Sequence, residues 1–157
     1  MKFSKALVES LEGAQYFAGH FEGKFLESWH LLIAIGNNPY SVAGGALAEF
    51  PMVVDNLEDV AFEVTGQEFK EKMDFEDCPH SKRLATLLAD AGEVAEVLHA
   101  KEVGTEHVLC AILMDRGNTA IRILEEAGME METEEGEERE RENKRKDRVL
   151  VVLVVSG

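Results

Sequence analysis

Three features of this chain predict an all-α fold of two repeats related by a pseudo-two-fold axis. The sequence matches itself when shifted by 77 residues, and its apolar residues recur at helical spacing. It also carries only three prolines and no strand signal over residues 1–129. The self-match runs from Ser4–Glu49 onto Ser81–Glu126 without a gap. Ser4, Lys5, Leu7, Leu11 and Ala14 fall on Ser81, Lys82, Leu84, Leu88 and Ala91. Further on, Lys24, His30, Leu32, Ala34 and Ile35 fall on Lys101, His107, Leu109, Ala111 and Ile112. Chance gives few such coincidences over so short a span, so two copies of one structural unit are expected.

Each element follows from local pattern. The first helix lies within Phe3–His20, where Leu7, Leu11, Ala14 and Ala18 form one face behind Ser4 as N-cap. Its counterpart follows Ser81 and carries Leu84, Leu87, Leu88, Ala91, Ala95 and Leu98. Short loops follow, Glu22–Glu27 and Ala100–Gly104. Next come brief helices that start at Ser28 and Thr105 and run through HLLIAI and HVLCAIL. Apolar nearly all round, these two belong at the centre of each half. Polar turns lead to third helices at Ser41–Phe50 and Asn118–Ala127, and a fourth, Val53–Thr65, completes the first copy. The paired glycines Gly44 and Gly45 in its third helix mark either a close approach or tolerated surface positions. The organisation expected is repeat one at 3–65, a charged linker at 66–79 and repeat two at 80–129, with about four helices per repeat. The tail, 130–157, opens with an acidic stretch that has no apolar stripe and reads as a solvated helix or a disordered segment. KRKDR follows, and then the apolar run VLVVLVV.

Composition narrows the function classes. Sixteen basic against thirty-one acidic residues give a net charge of −15, which repels phosphate backbones and anionic lipid heads. Neither nucleic acid nor membrane is therefore an expected partner. No stretch reaches the ~20 apolar residues that a membrane helix needs, and MKFSKALVES has no signal-like apolar core. A cytoplasmic protein is expected. The two cysteines, Cys78 and Cys110, show no pairing pattern, and Cys110 reads as a small buried residue. Cys78, His80 and His99 make only a weak zinc signal, so no metal site and no cofactor are expected. No GxSxG, HExxH, GxGxxG or GxxxxGK[ST] string occurs, and no catalytic constellation is expected.

Val103–Leu113 (VGTEHVLCAIL) and the following NTAIRILEEAGM resemble the second repeat of the N-terminal domain of Clp-family protein-unfolding ATPases. Phe25–Ile35 (FLESWHLLIAI) with SVAGGAL resembles the first. FLESWHLL and PYSVAG look closest to the ClpC-type proteins of Gram-positive bacteria. The resemblance covers residues 1–129 and implies a non-catalytic domain that docks adaptor proteins and tagged or unfolded substrates. Those substrates pass to the AAA+ rings of a parent unfoldase that feeds a peptidase. Without a Walker string, the chain is expected to be either a portion of such a protein or a stand-alone paralogue. A stand-alone phosphoarginine- or peptide-sensing module is the alternative.

In ClpC-type members each repeat can hold a phosphoarginine, which presents a guanidinium beside a phosphoryl group. Such a ligand needs a carboxylate, hydroxyls and helix N-terminal amides. The resemblance assigns Glu106 to the guanidinium and Ser81, with Thr105, to the phosphate side of a pocket in repeat two. Each of these residues also has a plain structural reading as a cap or a dipole partner. Repeat one departs from the pattern. Ser4 and Ser28 remain, but Trp29 stands where Glu106 does, and Glu27 where Gly104 does. That pocket is expected to be degenerate, lost or repurposed for an aromatic contact with a partner. His30 and His107, duplicated at the heads of the apolar helices, are expected to be structural, with one ring nitrogen bonded to backbone.

Overall fold

The structure, a computed structural model, describes residues 1–68, 70 and 76–129, so the expected tail at 130–157 lies outside the described residues. Among the described residues there are seven helices and no strand: α1 (Lys5–His20), α2 (Ser28–Gly36), α3 (Val42–Leu47), α4 (Pro51–Thr65), α5 (Lys82–Val97), α6 (Thr105–Met114) and α7 (Thr119–Glu126). Four belong to the first copy and three to the second; a fourth in the second copy would fall beyond the described residues. The fold is all-α, as expected.

The duplicated serines start the duplicated helices. Ser4 Oγ accepts the Leu7 N–H at 3.1 Å and Ser81 Oγ accepts the Leu84 N–H at 3.1 Å. Each satisfies a donor that a helix N-terminus leaves without a partner. Helix α1 packs on α2 and α5 on α6, so each copy is built on a helical hairpin. Every residue of α2 is buried, and α6 is buried at Thr105 and from His107 to Ile112. The core therefore runs through the middle of both hairpins.

The copies interlock rather than sit side by side. Phe3 pairs with Val103 and Leu26 with His80 in single parallel β-bridges. Each bridge carries two backbone bonds: Ser4 N–H to Val103 O and Val103 N–H to Lys2 O, both 2.8 Å, and Ser81 N–H to Leu26 O at 3.0 Å with Leu26 N–H to Pro79 O at 2.8 Å. A shift of 77 residues exchanges one bridge for the other, because Phe3 maps to His80 and Leu26 to Val103. Helix pairs obey the same exchange: α2 packs on α7 as α3 packs on α6, and α1 packs on α6 as α2 packs on α5. Reciprocal contact of this kind is the signature of a two-fold interface. Neither bridge left a trace in the sequence, because a single paired residue has no period to read.

Two helix boundaries differ from expectation. The third helix ends at Leu47 instead of reaching Phe50, and α4 begins at Pro51 rather than Val53. Proline is suited to a first helical position, where its missing N–H is not needed. Gly44 is a close-approach glycine: a Cβ there would collide with the backbone oxygens of Asn38 and Ile35. Gly45 has more room, since its Cβ would stand 3.3 Å from Pro39 O.

Candidate functional site

The reciprocal bridges decide which residues share a neighbourhood. Ser4 donates its N–H to Val103 O, one residue from Gly104 and three from Glu106, and α1 packs on α6. Ser81 donates to Leu26 O, beside Glu27, and α2 packs on α5. The structure therefore places Ser81 apart from Thr105 and Glu106, with which the sequence groups it. Ser81 heads α5, and the neighbouring Arg83 holds Asp115, the C-cap of α6, through bonds of 2.9 and 3.2 Å. Glu106 lies at the other end of α6, and a ten-residue helix is about 15 Å long. Each loop thus takes its serine from the opposite repeat. Sequence comparison pairs residues within a copy and cannot show that the copies have exchanged partners.

At the Ser4 site, the Glu106 side chain folds back over Gly104. A Cβ on residue 104 would collide with its Oε1, so glycine at 104 is what lets the carboxylate lie there. The Glu106 side chain is 18% exposed and stands 3.7 Å from His107 Nδ1. That nitrogen accepts the Gly104 N–H at 2.8 Å, so it bears no proton and does not neutralise the carboxylate. No described residue hydrogen-bonds the carboxylate. Glu106 and burial together push the Cys110 thiol up to about 11, burial being the larger cause, so Cys110 is an unreactive thiol.

Thr105 and Ser28 are placed elsewhere than at a ligand surface. Thr105 is buried and its Oγ1 accepts the Ala43 N–H at 3.0 Å. Ser28 is buried and its Oγ donates to Asn118 Oδ1 at 2.6 Å, while that same oxygen accepts the Ala120 N–H at 2.9 Å. Asn118 is the N-cap of α7, and Ala43 lies in the first turn of α3. Both hydroxyls therefore tie the head of a central helix to a third helix of the other repeat. Asn118 was not singled out by its sequence, since its value lies in a partner ninety residues away.

At the Ser81 site the chemistry has changed. Trp29 is 2% exposed, with its indole centroid 5.0 Å from the Phe21 ring and 3.7 Å from the His30 ring. The indole thus makes its aromatic contacts inside the protein, in the core. With no carboxylate at position 29 folding back, residue 27 has room for a side chain, and Glu27 takes it. Burial raises the Glu27 carboxyl above the usual carboxylate range. The carboxylate beside the head of each central helix thus comes from residue 106 in one copy and from residue 27 in the other.

His30 Nδ1 accepts the Glu27 N–H at 2.9 Å, matching the bond from Gly104 to His107. The histidines hold the loops that precede α2 and α6. Among the described residues no group of three or more His, Cys, Asp or Glu side chains could hold a metal ion. No helix among them is long and apolar enough to cross a membrane.

The family model of the Clp repeat (R) N-terminal domain matches residues 2–127. A chain solved in preliminary structural investigations of a malarial protein secretion system has a similar fold, with a TM-score of 0.66 at 17% identity, covering 99% of each chain. No curated relative matches the sequence. The chain belongs to the Clp repeat N-terminal domain family.

Proposed function

We propose that this member of the family is the substrate- and adaptor-recognition domain of a ClpC-type protein unfoldase, working in the cytoplasm with AAA+ rings of the same parent protein. Domains of this family typically stand at the N-terminus of Clp ATPases and bind substrates and adaptors. The ClpC-type assignment rests on the FLESWHLL and PYSVAG strings. On this reading the chain catalyses nothing itself. Its one specific ligand group is a phosphoarginine side chain, taken by the Ser4–Gly104–Glu106 site.

The observation that carries this reading is a part-exposed carboxylate that no described residue hydrogen-bonds, near the starts of α1 and α6. Glu106 supplies charge for a guanidinium, and the helix starts supply amides and the Ser4 hydroxyl for a phosphoryl group. The Ser81 site lacks that carboxylate position, so one ligand per chain is the expected stoichiometry. A stand-alone sensing module would use the same site without an ATPase.

Calorimetry with free phosphoarginine tests the assignment, and the two serines make a matched pair. Ser4→Ala and Ser81→Ala each remove one equivalent N-cap bond, costing about 1 kcal/mol of stability alike. Only Ser4→Ala should also weaken phosphoarginine binding, by roughly tenfold, because a bond to a charged group is lost. Glu106→Ala should abolish it. Equal losses from the two serine changes, or binding that survives without Glu106, would overturn the site.

A further inference from the structure

A groove of about 330 Å³ runs between α5 and the segment that enters α1, lined by Met1, Phe3, Leu88, Gly92, Glu93 and Glu96 among others. The pseudo-dyad gives this groove a counterpart, and the two differ in one decisive respect. Under the 77-residue shift Gly92 maps to Gln15 and Met1 to Cys78. Gln15 clamps the Cys78 backbone with both ends of its amide: Nε2 donates to Cys78 O at 3.0 Å, and Oε1 accepts the Cys78 N–H at 2.8 Å. The groove on α1 is therefore sealed by a side chain of the first copy clamped onto the extended segment that leads into the second. The second copy has no side chain to do so, and a Cβ at Gly92 would meet nothing within 4 Å.

We propose that the open groove binds an extended protein segment in which an apolar side chain is followed by Lys or Arg. Its floor is apolar (Phe3, Leu88, Val103), and Glu93 and Glu96 stand exposed on its helical wall. Copy one puts Tyr16 and Gly19 at those two positions, so the acidic wall is peculiar to the open side. Phe3 adds a backbone edge. Its neighbours' groups bond Val103, and in a parallel pairing its own N–H and C=O point the other way, where they engage no described residue. An extended segment is what such an edge recognises, with side-chain pockets giving the selectivity. The volume suits one or two side chains rather than a folded element. This surface extends the recognition role to a second contact and does not use Glu106.

The internal counterpart supplies the test. Gly92→Gln installs the residue that seals copy one, at a helix-interior position where glycine is unfavourable, so the variant should melt higher than the parent chain. A fluorescein-labelled peptide carrying Leu-Val followed by two arginines should bind the full chain saturably in anisotropy titrations. Gly92→Gln should weaken it by roughly tenfold or more, the scale of one buried apolar side chain. Glu93→Lys with Glu96→Lys should do likewise. A peptide with glutamates in place of the arginines should not bind, and free phosphoarginine should not compete. Binding indifferent to Gly92→Gln or to the peptide's charge would overturn the proposal. So would competition by phosphoarginine, which would assign the peptide to Glu106, or self-association abolished by Gly92→Gln, which would make a second copy the occupant.

Discussion

His30 is the residue at which local geometry and titration meet. Its Nδ1 accepts a backbone N–H, its Nε2 is buried without a hydrogen-bond partner, and burial lowers its pKa from 6.5 to about 4. Protonation would also turn the accepting nitrogen into a second donor facing the Glu27 N–H. The native state therefore refuses a proton that the unfolded chain accepts. Stability from this group is intact above pH 6.5, falls as pH drops below 6.5, and stops falling once pH passes about 4. The slope in that window is one proton, about 1.4 kcal/mol per pH unit at most. His30→Asn keeps an acceptor for the N–H and does not titrate. Urea denaturation of both chains between about pH 7 and pH 4.5 should show a shallower loss for the variant by up to one proton. Parallel slopes would mean that His30 is not the group refusing the proton. The duplicated histidines could be read as structural from the repeat alone. The depressed pKa could not, because it depends on Trp29 and Phe21 closing over the ring.

Most elements were legible because their signals are local. Serine caps, apolar stripes and polar turns placed six of the seven starts within one residue, and the seventh, at Pro51, lies two residues before the expected Val53. What stayed hidden was every contact between copies: the bridges, the Ser28–Asn118 bond, and the exchange of Ser4 and Ser81. Residues so far apart in sequence share no pattern that one chain can display. Gly44 and Gly45 show the same division within a single helix. Both read alike in sequence, yet the turn at 37–40 crowds Gly44 much more closely than Gly45. Ser41 Oγ accepts the Gly44 N–H at 3.0 Å and donates to Asn38 O at 2.8 Å, drawing that carbonyl onto the Gly44 Cα. Gly44→Ala should therefore cost about 1–3 kcal/mol through overpacking against backbone that cannot give way. Gly45→Ala should lie within about 1 kcal/mol of the parent, since better helix propensity offsets a tight contact. Equal effects in denaturant titrations would show that Asn38 O does not press on Gly44.

Across the whole molecule the exchange of partners makes each repeat part of the other's fold. Copy one supplies the segment that pairs with Val103, the serine beside Glu106, and α4, which packs on α7. Copy two supplies the matching segment at His80 and the asparagine that holds Ser28. Separated, each piece would expose the buried faces of α2 or α6 to water, and pieces of this length are at the lower limit for independent folding, about 60 residues. Residues 1–68 and 76–129 made as separate peptides should each show little helix by circular dichroism. Mixed in equal amounts they should recover a helical spectrum and a cooperative melt, because nearly every contact of the dyad is non-covalent. Pairing with itself would serve neither piece as well: two copies of 76–129 could reproduce the bridge but would leave the α7 face that α4 covers exposed. If either piece melted cooperatively alone as a monomer, the bridges would be decoration on two autonomous domains. The site made from Ser4 and Glu106 would then depend on docking between domains rather than on the fold. If only the mixture folds, forming the core and assembling the recognition site are one event. Changes at Ser28, Asn118 or Thr105 would then reach ligand affinity through stability alone.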